Sequence, residues 1–188
     1  MAAKLEYGAG IFCSKMAVRA QEEGCLARAE FLKNQSIQED SHARMLGGLV
    51  DKKARLNRNC DTGAWVQEVR SFQFLDGISQ RYWAAKLFFW FRKPEELDWA
   101  DTLAFMCVIE SQVAKFYEIL GKVDDETVRA IADKILNDEI AHEADLKDSL
   151  SISHAAPETL YRKWRNRLIL AYVGGLVDLV ISYLVLVA

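Results

Sequence analysis

Two copies of one short pattern constrain this chain more than anything else in it. Glu39-Asp40-Ser41-His42 stands in the first half and Glu139-Ile140-Ala141-His142 in the second. Each Glu-x-x-His is preceded, by about thirty residues, by a further Glu: Glu6 before the first and Glu110 before the second. That separation fits one helix, a turn and part of an antiparallel second helix. On a helix, residues i and i+3 share a face, so each Glu-x-x-His can aim a carboxylate and an imidazole at one point. Two such helices, with one Glu from each of two partners, supply six ligands, the set that builds a carboxylate-bridged di-iron or di-manganese centre inside a four-helix bundle. The chain has only three His, and two of them follow a Glu by three positions. At this Glu content the coincidence has odds of about 1–2%, the background such a motif must beat. The competing interpretation is two solvated helical faces that happen to carry Glu and His.

The neighbours of the motif speak against solvated faces. At helical spacing, Glu39 and His42 share a stripe with Ala29, Leu32, Ala43 and Leu46, and Glu139 and His142 with Val128, Ile131, Ile135 and Leu146. Glu110 lies among Leu103, Met106, Cys107 and Val113, and Glu6 among Gly10, Cys13, Ala17 and Ala20. A carboxylate in an apolar stripe is costly unless it is paired or bound to a metal. A shared metal pair offsets all four at once, and no other cation is in evidence on these faces.

Length and composition set the frame. With 188 residues the chain is expected to form one main domain with a proper core. It contains two prolines, Pro94 and Pro157, and long stretches without strand-like alternation, so an all-α fold is expected. A net charge of −3 gives no electrostatic footprint for nucleic acid. Cys13, Cys25, Cys60 and Cys107 form no Cys-x-x-Cys, which points away from a disulfide framework and toward an intracellular, reducing compartment. The first residues lack the apolar run of a secretory signal.

In chain order, a first helix is expected from about Ala3 to Gln21, stopped at Gly24, and a second from Cys25 to Leu46, ended or bent by Gly47-Gly48. Residues 47–98 read as a long crossover, with a loop at Asn57–Gly63 and helices at Ala64–Phe72 and Ile78–Arg92. A third bundle helix runs from Trp99 to Leu120, started by Asp98 or Asp101, and a fourth from Asp125 to Leu150, with a break at Pro157. Residues 1–150 thus form the expected four-helix bundle, and 151–188 a C-terminal hydrophobic helix.

From Leu168 to Ala188 the tail is almost wholly apolar, broken by Gly174-Gly175 and by Asp178, and follows the basic run Arg162–Arg167. Its length reaches about 30 Å as a helix, a bilayer's hydrocarbon thickness. Three arrangements are open: a helix packed on the bundle or in a homodimer interface, a peripheral helix lying in a membrane surface, or a true span. Tyr82–Phe91, dense in aromatics, is a second segment compatible with lipid or with a crossover helix lying on the bundle.

The full pattern, Glu … Glu-x-x-His … Glu … Glu-x-x-His, resembles the ferritin-like di-iron carboxylate superfamily. Within it the chain is most similar to the demethoxyubiquinone hydroxylases. Glu6-Tyr7-Gly8-Ala9 matches their Glu-Tyr-Gly-Ala at the first ligand, Lys15-Met16-Ala17-Val18 is similar to their Gln-Met-Ala-Val, and Asp138-Glu139-Ile140-Ala141-His142 matches their Asp-Glu-x-x-His. Phe116 stands where they have the His that precedes the Tyr, here Tyr117, and the middle segment is longer. The resemblance implies that Glu39 and Glu139 bridge two metals, that Glu6 and Glu110 are terminal carboxylates, and that His42 and His142 each bind one metal. Tyr117, two turns from Glu110 on one face, is a candidate to hydrogen-bond near the metals or pass an electron, and equally a plain core tyrosine. Each His needs an acceptor for its other ring N–H, for which Asp145 is the best candidate on the fourth helix, and otherwise a plain exposed helix acid.

The expected function is a di-iron monooxygenase that uses two iron ions (manganese is the alternative), dioxygen and an external electron donor to hydroxylate an apolar, quinone-like or membrane-borne small molecule. Iron oxidation or peroxide scavenging, tRNA or aldehyde chemistry on the same fold, and a non-catalytic membrane-associated bundle are the alternatives.

Overall fold

Helix termini are written into the local sequence. Gly24 adopts φ 77°, which a side chain would resist, and lets Cys25 N–H reach back to the Ala20 carbonyl at 2.8 Å, so the first helix stops there. Asp98 accepts the N–H of Asp101 at 2.7 Å, and Asp125 accepts those of Thr127 and Val128 at 3.0 and 3.1 Å, each carboxylate capping the helix that follows it. Pro157 opens the last helix, where its missing N–H costs nothing.

The computed structural model describes residues 2–56 and 82–187. All the regular structure among them is helical, without strands: α1 (Ala2–Glu22), α2 (Leu26–Leu56), α3 (Tyr82–Phe88), a 3-10 turn at Pro94–Glu96, α4 (Trp99–Leu120), α5 (Glu126–Ser153) and α6 (Pro157–Val187). The all-α expectation therefore holds, and α1, α4 and α5 lie close to their expected bounds. Two boundaries differ. First, α2 continues through Gly47-Gly48. Glycine only weakens a helix interior, by about 1 kcal/mol against alanine, and Met45, Leu46 and Leu49 hold this stretch to the core. Second, the helix expected to reach Arg92 ends at Phe88, and Trp90 and Phe91 turn away at φ 52° and 63°. The reason is packing: Phe88 and Phe89 are pinned against Phe105 and Trp164, with ring centroids 4.9–6.2 Å apart. The expected loop at 57–63 and helix at 64–72 lie outside the described residues.

The chain divides into two compact units. One comprises the described residues of Met1–Arg58 with Ser111–His142, the other those of Asn59–Glu110 with Glu143–Ala188. The first is built from α1, α2, the later half of α4 and the earlier part of α5. Leu46, Tyr117, Ala132 and Ile135 form its buried centre, with Val113, Ile131 and Leu136 packed around them. α1 and α2 approach closely at Gly10, where a Cβ would stand 3.3 Å from both the Glu39 Cβ and the Ser36 carbonyl, and Ser36 Oγ donates to the Gly10 carbonyl at 2.9 Å.

In the second unit α6 lies along α3. A Cβ on Gly174 would come within 2.7 Å of the Trp83 and Ala84 backbone, so only glycine permits this approach. Asp178 is buried and accepts the backbone N–H groups of Trp83 and Ala84, both at 3.1 Å, at the start of α3. The acid that interrupts the apolar tail is thus a helix cap. Buried Asp101 anchors the aromatic cluster by accepting from Lys163 Nζ at 2.6 Å and Trp164 Nε1 at 2.8 Å. Among the described residues no helix is long and apolar enough to cross a membrane.

Candidate metal centre

The repeated Glu-x-x-His sits at matching depth on two helices of the first unit. α2 carries Glu39 and His42, α5 carries Glu139 and His142, and α1 contributes Glu6. All five are buried, Glu139 completely, and Glu39 and His42 to 1% exposure. Single ligand atoms from Glu6, Glu39, His42 and Glu139 lie within 4.8 Å of one another, and so do atoms from Glu39, Glu139 and His142. Glu39 and Glu139 belong to both groups. The solvated-face interpretation is therefore excluded for these five residues.

The contacts have a spacing that ligands of one ion share. His42 Nδ1 is 3.1 Å from Glu139 and 3.6 Å from Glu39, while His142 Nδ1 is 3.5 Å from Glu39 and 3.6 Å from Glu139. Donor atoms held about 2.0–2.2 Å from one ion stand about 3.0–3.6 Å apart. Glu39 Oε1, His42 Nδ1 and His142 Nδ1 are buried without a hydrogen-bond partner. Buried polar atoms are seldom left so, and bound metal at the two groups would satisfy them. The donor set, carboxylate with imidazole, suits iron or manganese. The residues present therefore fit a bound metal ion.

The opposite edges of both imidazoles are secured. His42 Nε2 donates to Asp138 Oδ2 at 3.0 Å, and His142 Nε2 to Gln38 Oε1 at 2.9 Å. The acceptor expected for His142, Asp145, is not the one used: the ring reaches across to α2 instead of along its own helix. Gln38 and Asp138 were missed because each stands at i−4 from a His on its own helix, which favours reading it as that residue's partner. The bonds in fact cross, each acceptor serving the His of the other helix. Their immediate position before each Glu was the available signal.

Tyr117, from α4, is fully buried and its hydroxyl donates to Glu6 Oε1. Of the two roles open to it, hydrogen bonding at the cluster is the one seen. Glu110 is buried on the same helix, two turns before Tyr117 and on the same stripe. It is the last residue of its segment of the second unit.

Electrostatics follow from crowding acids in a dry site. Burial, then Glu39 and Glu139, push Glu6 up to about 8, against the opposing hydrogen bond from Tyr117. Burial alone would lower His42, but Glu139, Glu39 and Asp138 outweigh it and raise the ring to about 10. Burial and then Glu6 drive Tyr117 far upward, so it remains a donor at any physiological pH. Without metal, protons supply the positive charge that the cluster needs.

A groove of about 650 Å³ runs between α1 and α2, lined by Ser14, Ala17, Val18, Ser36 and Ile37 among others. Ser36 places it one helical turn from Glu39. Compared with known proteins, the chain matches no family profile, no curated protein and no solved structure.

Proposed function

We propose that this protein is a di-iron monooxygenase of ferritin-like, four-helix architecture that hydroxylates an apolar small molecule. The observation that carries this reading is the convergence of five buried donors at ligand spacing, with Glu39 Oε1, His42 Nδ1 and His142 Nδ1 left without a hydrogen bond. Glu39 and Glu139, common to both groups, would hold metal at either position. Glu6 and His42 would complete one position, and His142 the other. When bound, a ferrous pair would supply electrons to dioxygen, so that one oxygen atom enters a C–H bond and the other leaves as water, with two electrons and two protons returned from outside.

The chain's own groups set the conditions for that chemistry. Tyr117 fixes the Glu6 carboxylate through its hydroxyl. The Nε2 bonds to Asp138 and Gln38 orient both rings with Nδ1 inward. The apolar centre formed by Leu46, Ala132 and Ile135 limits water beside the cluster. The groove between α1 and α2 gives an apolar substrate a path to within one turn of Glu39. Replacing Glu139 with Ala should abolish both bound iron and turnover, and retained turnover without metal would end this reading.

The same reading includes peripheral contact with lipid, the source of an apolar substrate. α6 exposes Ile169, Val173, Leu176, Leu179 and Val180, and the turn after α3 holds Trp90 and Phe91 outward. Co-sedimentation with phospholipid vesicles tests it, and protein left wholly in the supernatant counts against it.

A further inference from the structure

The two imidazoles of the cluster are held in the same way by chemically different groups. His42 Nε2 meets a carboxylate, Asp138 Oδ2 at 3.0 Å, whereas His142 Nε2 meets a neutral amide, Gln38 Oε1 at 2.9 Å. The two bonds otherwise correspond: each acceptor directly precedes the Glu of a Glu-x-x-His, and each serves the ring from the other helix. The inward edges correspond too, since both Nδ1 atoms face Glu39 and Glu139 at 3.1–3.6 Å. The near symmetry of the cluster is thus broken at the outer acceptors, by one unit of charge.

We propose that Asp138 and Gln38 are positioning residues that make the two metal positions unequal, the one at His42 binding its ion first and more tightly. The inference rests on the dimetal reading above and deepens it. A carboxylate that accepts the Nε2–H draws the proton toward itself and returns electron density to Nδ1, making that nitrogen a better donor to a cation. An amide oxygen carries only a dipole and does this less. The carboxylate also adds a negative charge close to the His42 position. Outer acceptors of this kind are worth about 10–100-fold in metal affinity, so the two steps of binding should be separated by roughly that factor.

Isosteric exchanges test this without removing either hydrogen bond. Chelator-treated protein is titrated with Mn(II), which does not react with dioxygen on mixing, and followed by calorimetry and by the electron paramagnetic resonance of bound Mn(II). The wild-type chain should bind two ions in resolved steps. Asp138→Asn should weaken the first step by about 10–100-fold, and Gln38→Glu should strengthen the second, so both narrow the gap from opposite ends. A role limited to holding the rings would leave the ratio of the two steps unchanged, and thermal melts of both variants check that they fold. Two equal steps in the wild type, or a gap that neither variant moves, overturns the inequality alone. A wild-type chain that binds no Mn(II) overturns the dimetal reading, and this inference with it.

Discussion

Stripping metal from the protein should make its stability fall steeply with rising pH, and restoring metal should flatten that dependence. Two groups set the effect. Glu6 rises from 4.5 to about 8 in the folded chain, and His42 from 6.5 to about 10. In both cases the folded state holds its proton more tightly than the unfolded state. The stability contributed is therefore fully present below the unfolded values and is lost as pH rises through the folded ones. Glu6 acts between 4.5 and 8 and His42 between 6.5 and 10, so the windows overlap from pH 6.5 to 8. There the folded chain carries more than one proton beyond the unfolded one, which gives a slope of about −2 kcal/mol per pH unit. Across the overlap that is on the order of 3 kcal/mol, a large share of a typical domain's stability. Urea unfolding of chelator-treated protein at several pH values across the overlap measures it, followed by the same series with Mn(II) present. Bound metal displaces both protons and should remove the slope. A metal-free protein of constant stability from pH 6.5 to 8, or an equal slope with metal, refutes the reasoning.

Other perturbations read other parts of the structure. Tyr117→Phe takes a buried donor from Glu6 and should lower the stability of the metal-free protein by about 1–3 kcal/mol while both metals still bind, as urea melts with metal analysis will show. Gly174→Ala forces a Cβ to within 2.7 Å of the α3 backbone and should cost about 1–3 kcal/mol. Gly175→Ala has open space and should be neutral or stabilising, so the pair of melting temperatures should move apart. Asp101→Ala leaves Trp164 Nε1 without its acceptor and Lys163 without its partner and should destabilise by about 1–3 kcal/mol, read by loss of the near-ultraviolet signal of Trp164 at lower urea.

What could be read from residue order was whatever depended on local rules. The helix starts at Asp98 and Asp125 and the stop at Gly24 are decided by side chains within a turn of where they act. The shared faces of Glu39 with His42 and of Glu139 with His142 need only the helical repeat. Gly47-Gly48 does not end α2 because glycine only weakens a helix interior, and tertiary contacts at Leu46 and Leu49 hold it. The end of α3 is set by Trp164, far along the chain. Asp178 breaks the apolar tail, and its partners are backbone N–H groups nearly a hundred positions away, which no local pattern reveals. The crossed bonds of Asp138 and Gln38 were hidden likewise, since helical spacing favours partners on the same helix.

The most direct test of the account is the count and coupling of bound metal. Protein stripped, reloaded anaerobically with ferrous iron, exposed to dioxygen and freed of loose ions should retain two irons per chain. Mössbauer spectra should then show them as an antiferromagnetically coupled pair. One iron or none per chain, or two that are magnetically independent, would contradict a shared centre bridged by Glu39 and Glu139.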